Sequence, residues 1–219
     1  NGMTSTVVLG DTLTAICSAH AILDRLPDEN VHLLIEKAEM GLLGEGPGLF
    51  EEWPPCPPHW ISDLASQAPI DNSTAVRRSW FEKAVGTALS RRGCAIHLRT
   101  RVTSIENAKV HFVGAGPLGT GFLEYDSLLD FRTQPRGAVE WTGAVCRTTD
   151  APPVEIRGDR SDGTTEIWEQ GIRKGGGIWL QEMTWSGQDP RWSLAHDIEA
   201  GISGARAIVD TIIQKPTGQ

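Results

Sequence analysis

Thr6-Val-Val-Leu9, Gly10-Asp-Thr-Leu-Thr-Ala15, a run of small and apolar residues to Leu26, and Val31-His-Leu-Leu-Ile-Glu36 fill the first thirty-six positions of the chain. The first stretch is short, apolar and β-branched, as a buried strand requires. The glycine punctuates it, and the small residues that follow suit a helix lying close to a sheet. The last stretch is a second strand that ends in an acid. The order is that of a βαβ unit in which a dinucleotide's diphosphate lies at the helix N-terminus and the terminal acid holds a ribose.

Three positions of that fingerprint carry separate mechanical duties. The first glycine makes the tight turn, and Gly10 supplies it. The second lets backbone approach the pyrophosphate; here it is Thr12, whose β-branched side chain crowds the approach. The third lets helix and strand pack closely, and Ala15 is small enough. Asp11 adds negative charge where a diphosphate is to be attracted. Glu36 lies 21 positions beyond Ala15, near the expected spacing of about 20. Two readings stay open: a diphosphate held through this turn, or a βαβ unit without a ligand.

The 219 residues carry a net charge of −8, with no basic run longer than Arg77-Arg78 or Arg91-Arg92. Nucleic acid and anionic membrane surfaces are therefore not expected partners. No stretch is long and apolar enough to span a bilayer, and Asp11 and His20 interrupt the apolar part of the N-terminus. Cys17, Cys56, Cys94 and Cys146 never form a CxxC pair, so buried free thiols and a cytoplasmic protein are expected. Cys56-Pro-Pro-His59 has ligand types but no second pair, and no metal site is expected. The eight tryptophans suit a core or an apolar pocket.

Further along, Gly41–Gly48 and the proline-rich Trp53–Trp60 read as loop, the latter as a lid or an exposed aromatic contact surface. Helical periodicity returns over 79–91 and stops at Gly93. Alternating stretches at 95–98, 102–105, 109–113 and 121–125 read as strands, and 127–131 as a buried one. Two more, near 139–145 and 165–172, flank a polar divider at 157–163, and a further strand is entered at 175–180. Asp189-Pro190 reads as the cap and first position of a closing helix, in which Gly201 and Gly204 allow close packing on a sheet. Gly114-Ala-Gly-Pro-Leu-Gly119 matches GxGxxG letter for letter but is followed by a strand pattern, so it reads as a hairpin loop. The expected fold class is α/β: a Rossmann-like FAD/NAD(P)-binding fold with a central parallel sheet, plus a small antiparallel sheet. The expected division is 3–132 with 176–215 as the dinucleotide-binding domain and 133–175 as an antiparallel insertion, with 41–76 as a lid.

This order, with helix 79–91 leading into Ala95-Ile-His-Leu-Arg-Thr-Arg-Val-Thr-Ser-Ile105 and then Tyr125-Asp-Ser-Leu-Leu-Asp-Phe131, resembles FAD-dependent oxidoreductases of the glutathione-reductase-like superfamily. The resemblance implies backbone contact between Val102 and an adenine. Leu128-Leu-Asp-Phe-Arg132 and Glu182-Met-Thr-Trp-Ser186 resemble the lycopene cyclase and aromatic hydroxylase branch. Members of the superfamily close their flavin site with a Gly-Asp strand and a helix N-terminus. Here Gln181 and Glu182 stand in those places, followed by Ser186 and Gly187, so the cofactor motifs are degenerate at both ends of the chain.

Three functions follow. The first is a compact FAD-binding oxidoreductase for a small apolar or aromatic substrate. In it Gly10, Asp11, Thr12 and Ala15 take the diphosphate, Glu36 the ribose, Val102 the adenine, and Glu182, Ser186 and Gly187 the flavin end, with Trp185 and Trp192 flanking the substrate. The second is a cyclase or isomerase using a buried Glu182 as general acid. The third is a descendant in which FAD binding is weak or lost and the chain binds a protein partner or a second copy of itself.

Overall fold

The computed structural model describes residues 3–40, 45–114, 119–133 and 138–214. The chain divides into two compact units. One comprises Asn1–Leu43, Val85–Thr133 and Ile198–Gln219, and the other Gly44–Ala84 and Gln134–Asp197.

The first unit is built on β1 (Ser5–Leu9), α1 (Leu13–Arg25) and β2 (Asn30–Leu34), which match the opening βαβ reading in order and type. α2 (Arg78–Arg91) leads to β3 (Ala95–His97). β4 (Arg101–Glu106), β5 (Lys109–Val113) and β6 (Thr120–Glu124) form an antiparallel sheet, and β7 (Ser127–Asp130) follows. The parallel sheet has the order β3-β2-β1-β7, so β1 is flanked on both sides. Alternation along the strands decides what each face meets. Val7, Leu9 and Leu34 cluster with Val110, Val102, Ile105 and Phe112 of the antiparallel sheet. Val8 and Leu33, paired in register and fully buried, point to the opposite side, where α1 packs. Val113 pairs with Thr120, and the Gly114 amide donates to the Gly119 carbonyl at 3.0 Å. The letter-perfect GxGxxG therefore sits between antiparallel strands as expected, although positions 115–118 lie outside the described residues.

The second unit holds β8 (Val139–Arg147), β9 (Ile156–Asp159), β10 (Thr164–Gln170) and β11 (Gln181–Gly187) in the antiparallel order β11-β8-β10-β9. Its core is Leu49, Trp141, Val145, Ile156, Trp168 and Met183, with Trp185 packed against it. The fold class expected from the sequence, a parallel Rossmann-like sheet with separate antiparallel sheet, is what the chain adopts. Several details differ. Residues 156–159 form an edge strand where a polar divider was expected, because Ile156 and Gly158 are buried while their neighbours are not. β11 pairs with β8 along its whole length, so residues 181–187 belong to the antiparallel sheet and not to the dinucleotide-binding part. In the proline-rich loop Trp60 is buried, and the half-buried Trp53 packs between Phe50 and Phe81.

α3 (Ser193–Gln214) follows the turn opened by Asp189-Pro190, and Asp189 caps that turn as expected: its Oδ1 accepts the Arg191 amide at 2.9 Å and its carbonyl accepts the Ser193 amide at 3.0 Å. The glycines of α3 do permit close approach. A Cβ on Gly204 would lie 2.9 Å from the Phe131 ring. A Cβ on Gly201 would overlap the Thr14 carbonyl and lie 3.0 Å from Cys17 Cβ, so this glycine brings α3 against α1. Alanine ordinarily favours a helix over glycine by about 1 kcal/mol, but here overpacking dominates. Gly201→Ala is expected to lower stability by about 1–3 kcal/mol in urea unfolding, whereas Gly175→Ala, which meets nothing within 4 Å, leaves the midpoint unchanged.

At the β2–β3 join the rings of His32 and His97 stack, with Nδ1 of the first 3.0 Å from Nε2 of the second. Burial lowers both pKa values from the ordinary 6.5, and His97 lowers that of His32 further. The unfolded chain therefore binds protons more readily than the folded one just below pH 6.5. The pair's contribution is intact above that pH and is lost as pH falls through the depressed folded values. The melting temperature should drop between pH 7.5 and pH 5, and His97→Phe should flatten that drop.

Candidate functional site

The opening turn keeps the geometry that its sequence promises. Gly10 has φ +148°, a conformation L side chains rarely adopt, and its amide donates to the Leu34 carbonyl at 3.3 Å. A Cβ there would lie 3.1 Å from that of Ala15 and 3.3 Å from that of Phe131. Ala15 is fully buried, so the third fingerprint position does allow close helix–strand packing. Thr12 is the N-cap of α1 in extended conformation, but its hydroxyl makes no cap hydrogen bond.

The chemistry of the turn is different from its shape. The Asp11 carboxylate accepts the Glu36 backbone amide at 2.8 Å, fixing one negative charge at the end of β2 beside the exposed Glu36. Across β1, Leu9 pairs with Asp130, and Arg132 follows at the same carboxyl edge. Arg132 spends its guanidinium on Asp130, donating from Nε at 2.9 Å and Nη2 at 2.8 Å, and this bonding holds the Asp130 carboxyl below the usual range. The edge thus presents Asp11 and Glu36, the β-branched Thr12, and a cation already engaged. An FAD diphosphate brings two further negative charges. The residues present fit a βαβ turn; they do not fit the diphosphate grip of the fingerprint. The Asp130–Arg132 pair escaped the sequence reading because an i,i+2 pair carries no period of its own.

The remaining expected contacts divide between the units. Gly10, Asp11, Thr12, Ala15 and Glu36 do come together at one sheet edge. Val102 lies in β4, half-buried in the cluster under the parallel sheet. Glu182, Trp185, Ser186 and Gly187 lie on β11 in the second unit, and Trp192 just precedes α3. The Gly-Asp closing strand thus has no counterpart at 181–182, since those residues pair with Val145 and Ala144 in the antiparallel sheet. Glu182 is not the buried acid that a cyclase requires. Its side chain is 69% exposed and bound to Arg173 at 2.7 Å. The alternation of β11 turns Met183 into the core and Glu182 out to solvent. Trp185 stacks on a guanidinium and donates to the Gln188 carbonyl, and Trp192 is half-exposed.

That guanidinium is Arg78, which sequence reading passed over as part of a short basic run. It is almost wholly buried. It donates to Glu82 at 3.0 Å, the Pro47 carbonyl at 3.2 Å and Ser193 at 3.1 Å, and pairs with Asp197. Burial pushes the Glu82 carboxyl up against the pull of Arg78. All three guanidinium nitrogens are engaged, so this is an organising network and not a free binding group. Removing one partner of such a network leaves a buried charge unmatched. Arg78→Met is expected to cost about 3–5 kcal/mol in urea unfolding, with Arg78→Lys recovering only part, because an ammonium cannot reproduce the planar fork.

No family model and no curated protein matches the sequence. Solved structures do match the fold. A flavoprotein/dehydrogenase from Cytophaga hutchinsonii aligns with a TM-score of 0.66 at 12% identity, over 98% of this chain and 80% of its own. The myxobacterial chondrochloren halogenase CndH, a variant of FAD-dependent halogenases, aligns with a TM-score of 0.69 at 13% identity, over 99% and 77%. CabE, an aromatic hydroxylase from angucycline biosynthesis, gives 0.58 at 14% over 96% of this chain and 63% of that one. The chain therefore has the fold of FAD-binding, Rossmann-type flavoproteins and spans about two thirds to four fifths of their length.

Proposed function

We propose that this chain is a binding protein on the flavoprotein fold that has given up the diphosphate grip of its N-terminal turn. The observation that carries this reading is the Asp11 carboxylate held on the Glu36 amide at 2.8 Å, directly before Thr12 at the helix cap. The Asp11 carboxylate, next to the N-cap of α1, opposes the anionic ligand that the partial positive charge of the helix N-terminus would attract. The displacement of residues 181–187 into the antiparallel sheet supports it independently, because the flavin end loses its expected strand. Its partners in this reading are a small molecule, a protein or a second copy.

A second reading is favoured by the intact shape of the turn. Gly10, Ala15 and the exposed Glu36 stand where FAD's ribose and backbone contacts lie in the superfamily that the sequence resembles. On that reading the chain is an oxidoreductase holding FAD through adapted contacts, with the flavin supplying electron transfer to a small apolar or aromatic substrate.

Flavin uptake separates the two. The purified protein is expected to lack the visible flavin band and to bind added FAD with a Kd weaker than about 100 μM. The double substitution Asp11→Gly, Thr12→Gly should then tighten FAD binding at least about tenfold, equivalent to 1.4 kcal/mol. Stoichiometric FAD in the unaltered protein would establish the second reading and sink the first. Unchanged affinity in the double variant would remove Asp11 and Thr12 as the reason.

A further inference from the structure

The second unit contains a cleft of about 210 Å³ between the segment 66–80 and the turn after β9. That volume holds roughly seven waters at about 30 Å³ each, which suits a small ring-bearing metabolite and not a dinucleotide. Val76 and the Trp80 ring give it an apolar wall, Ser66 and Ser161 add hydroxyls, and Arg77 lies over the Trp80 ring at 5.0 Å.

The unusual member of the lining is Arg160. Its side chain is only 7% exposed, yet Nε and Nη2 have no hydrogen-bond partner. Its counter-charge is Glu166, fully buried, whose Oε1 stands 3.6 Å from Nη2 and is likewise without a hydrogen bond. Glu166 is turned elsewhere: Oε2 accepts Trp168 Nε1 at 2.8 Å and the Gly48 amide at 3.1 Å. Buried guanidinium donors are ordinarily matched, because an unmatched one loses its hydration without a partner in return. By contrast, Arg77 closes on Glu45 at 2.6 Å. Burial pushes the Glu166 carboxyl up against the pull of Arg160. Such a cation, in the wall of a cleft with an aromatic face, matches one negative charge on a planar acceptor group attached to a small ring.

We propose that this cleft binds a small aromatic monocarboxylate, its carboxylate toward Arg160 and its ring against Trp80. Asp162, at the exposed rim, opposes the ligand's charge. Its Oδ1 is engaged by the Thr164 amide and hydroxyl, and its removal should help. The inference is independent of how the N-terminal turn is read, since every residue it uses lies in the second unit.

Benzoate is the probe, with benzyl alcohol as the uncharged control, followed by calorimetry and by amide and indole shifts in a ¹H–¹⁵N spectrum. Benzoate is expected to saturate with a Kd below about 1 mM, at least tenfold tighter than benzyl alcohol, moving the Trp80 indole and the amides of 160–162. Trp80→Leu should weaken it about tenfold, Arg160→Gln should abolish it, and Asp162→Asn should tighten it a few-fold. Equal affinity for acid and alcohol, shifts centred elsewhere, or full binding by a folded Arg160→Gln protein would each overturn the proposal. Should Arg160→Gln fail to fold, the shift map of the unaltered protein and Trp80→Leu decide the matter in the same way.

Discussion

The close approach of α1 to the end of β1 is the constraint on which the first unit is built. β1 is hydrogen-bonded on both sides, to β2 and to β7, so it cannot shift to make room for the helix that follows it. The chain must reverse within three residues, which requires the φ of +148° that Gly10 adopts. Ala15 and Phe131 then close on the bare Cα from both sides. The same economy recurs at Gly201, where α3 reaches the first turn of α1. Small residues at these points bring backbone against backbone, and the apolar strand faces can then be covered on both sides.

That scaffold fixes the position of a carboxyl edge but not its chemistry. The side chains there have been settled internally: Asp11 on the Glu36 amide, Arg132 on Asp130. Groups satisfied by one another exert little pull on a ligand, and the Asp11 carboxylate opposes an anion at the helix N-terminus. A fold shared with FAD-dependent enzymes can therefore carry a different function, because function resides in the site and not in the sheet that presents it.

The second unit holds its charges differently. Arg78 is held by four partners and a tryptophan face, so it fixes how its surrounding segments meet. Glu166 is fully buried and the Arg160 side chain nearly so, yet they stand 3.6 Å apart with donors and an acceptor to spare. Desolvation is costly for both groups, and Arg78 offsets more of it within the chain.

Pattern and punctuation were enough to read the βαβ opening, the glycine hairpin at 114–119 and the antiparallel character of 139–170, because these depend on local periodicity and on residues with restricted or unusual φ. The identity of the turn's second and third fingerprint positions was equally plain from Thr12 and Ala15. What the linear chain left open was partnership. Whether Asp11 faced a ligand or a backbone amide depended on where the end of β2 came to rest. Whether β11 closed a parallel sheet or an antiparallel one depended on β8, more than thirty residues earlier. Glu182 had the right residue type for an acid, but the register of β11 turned Met183 inward and left the carboxylate in water. Arg78, in a short basic run, and Arg160, in the polar segment 157–163, are buried by segments far away in sequence. Local conformation is written in neighbouring residues; burial, pairing and hence the reactivity of a charge are set by whatever the fold brings beside it.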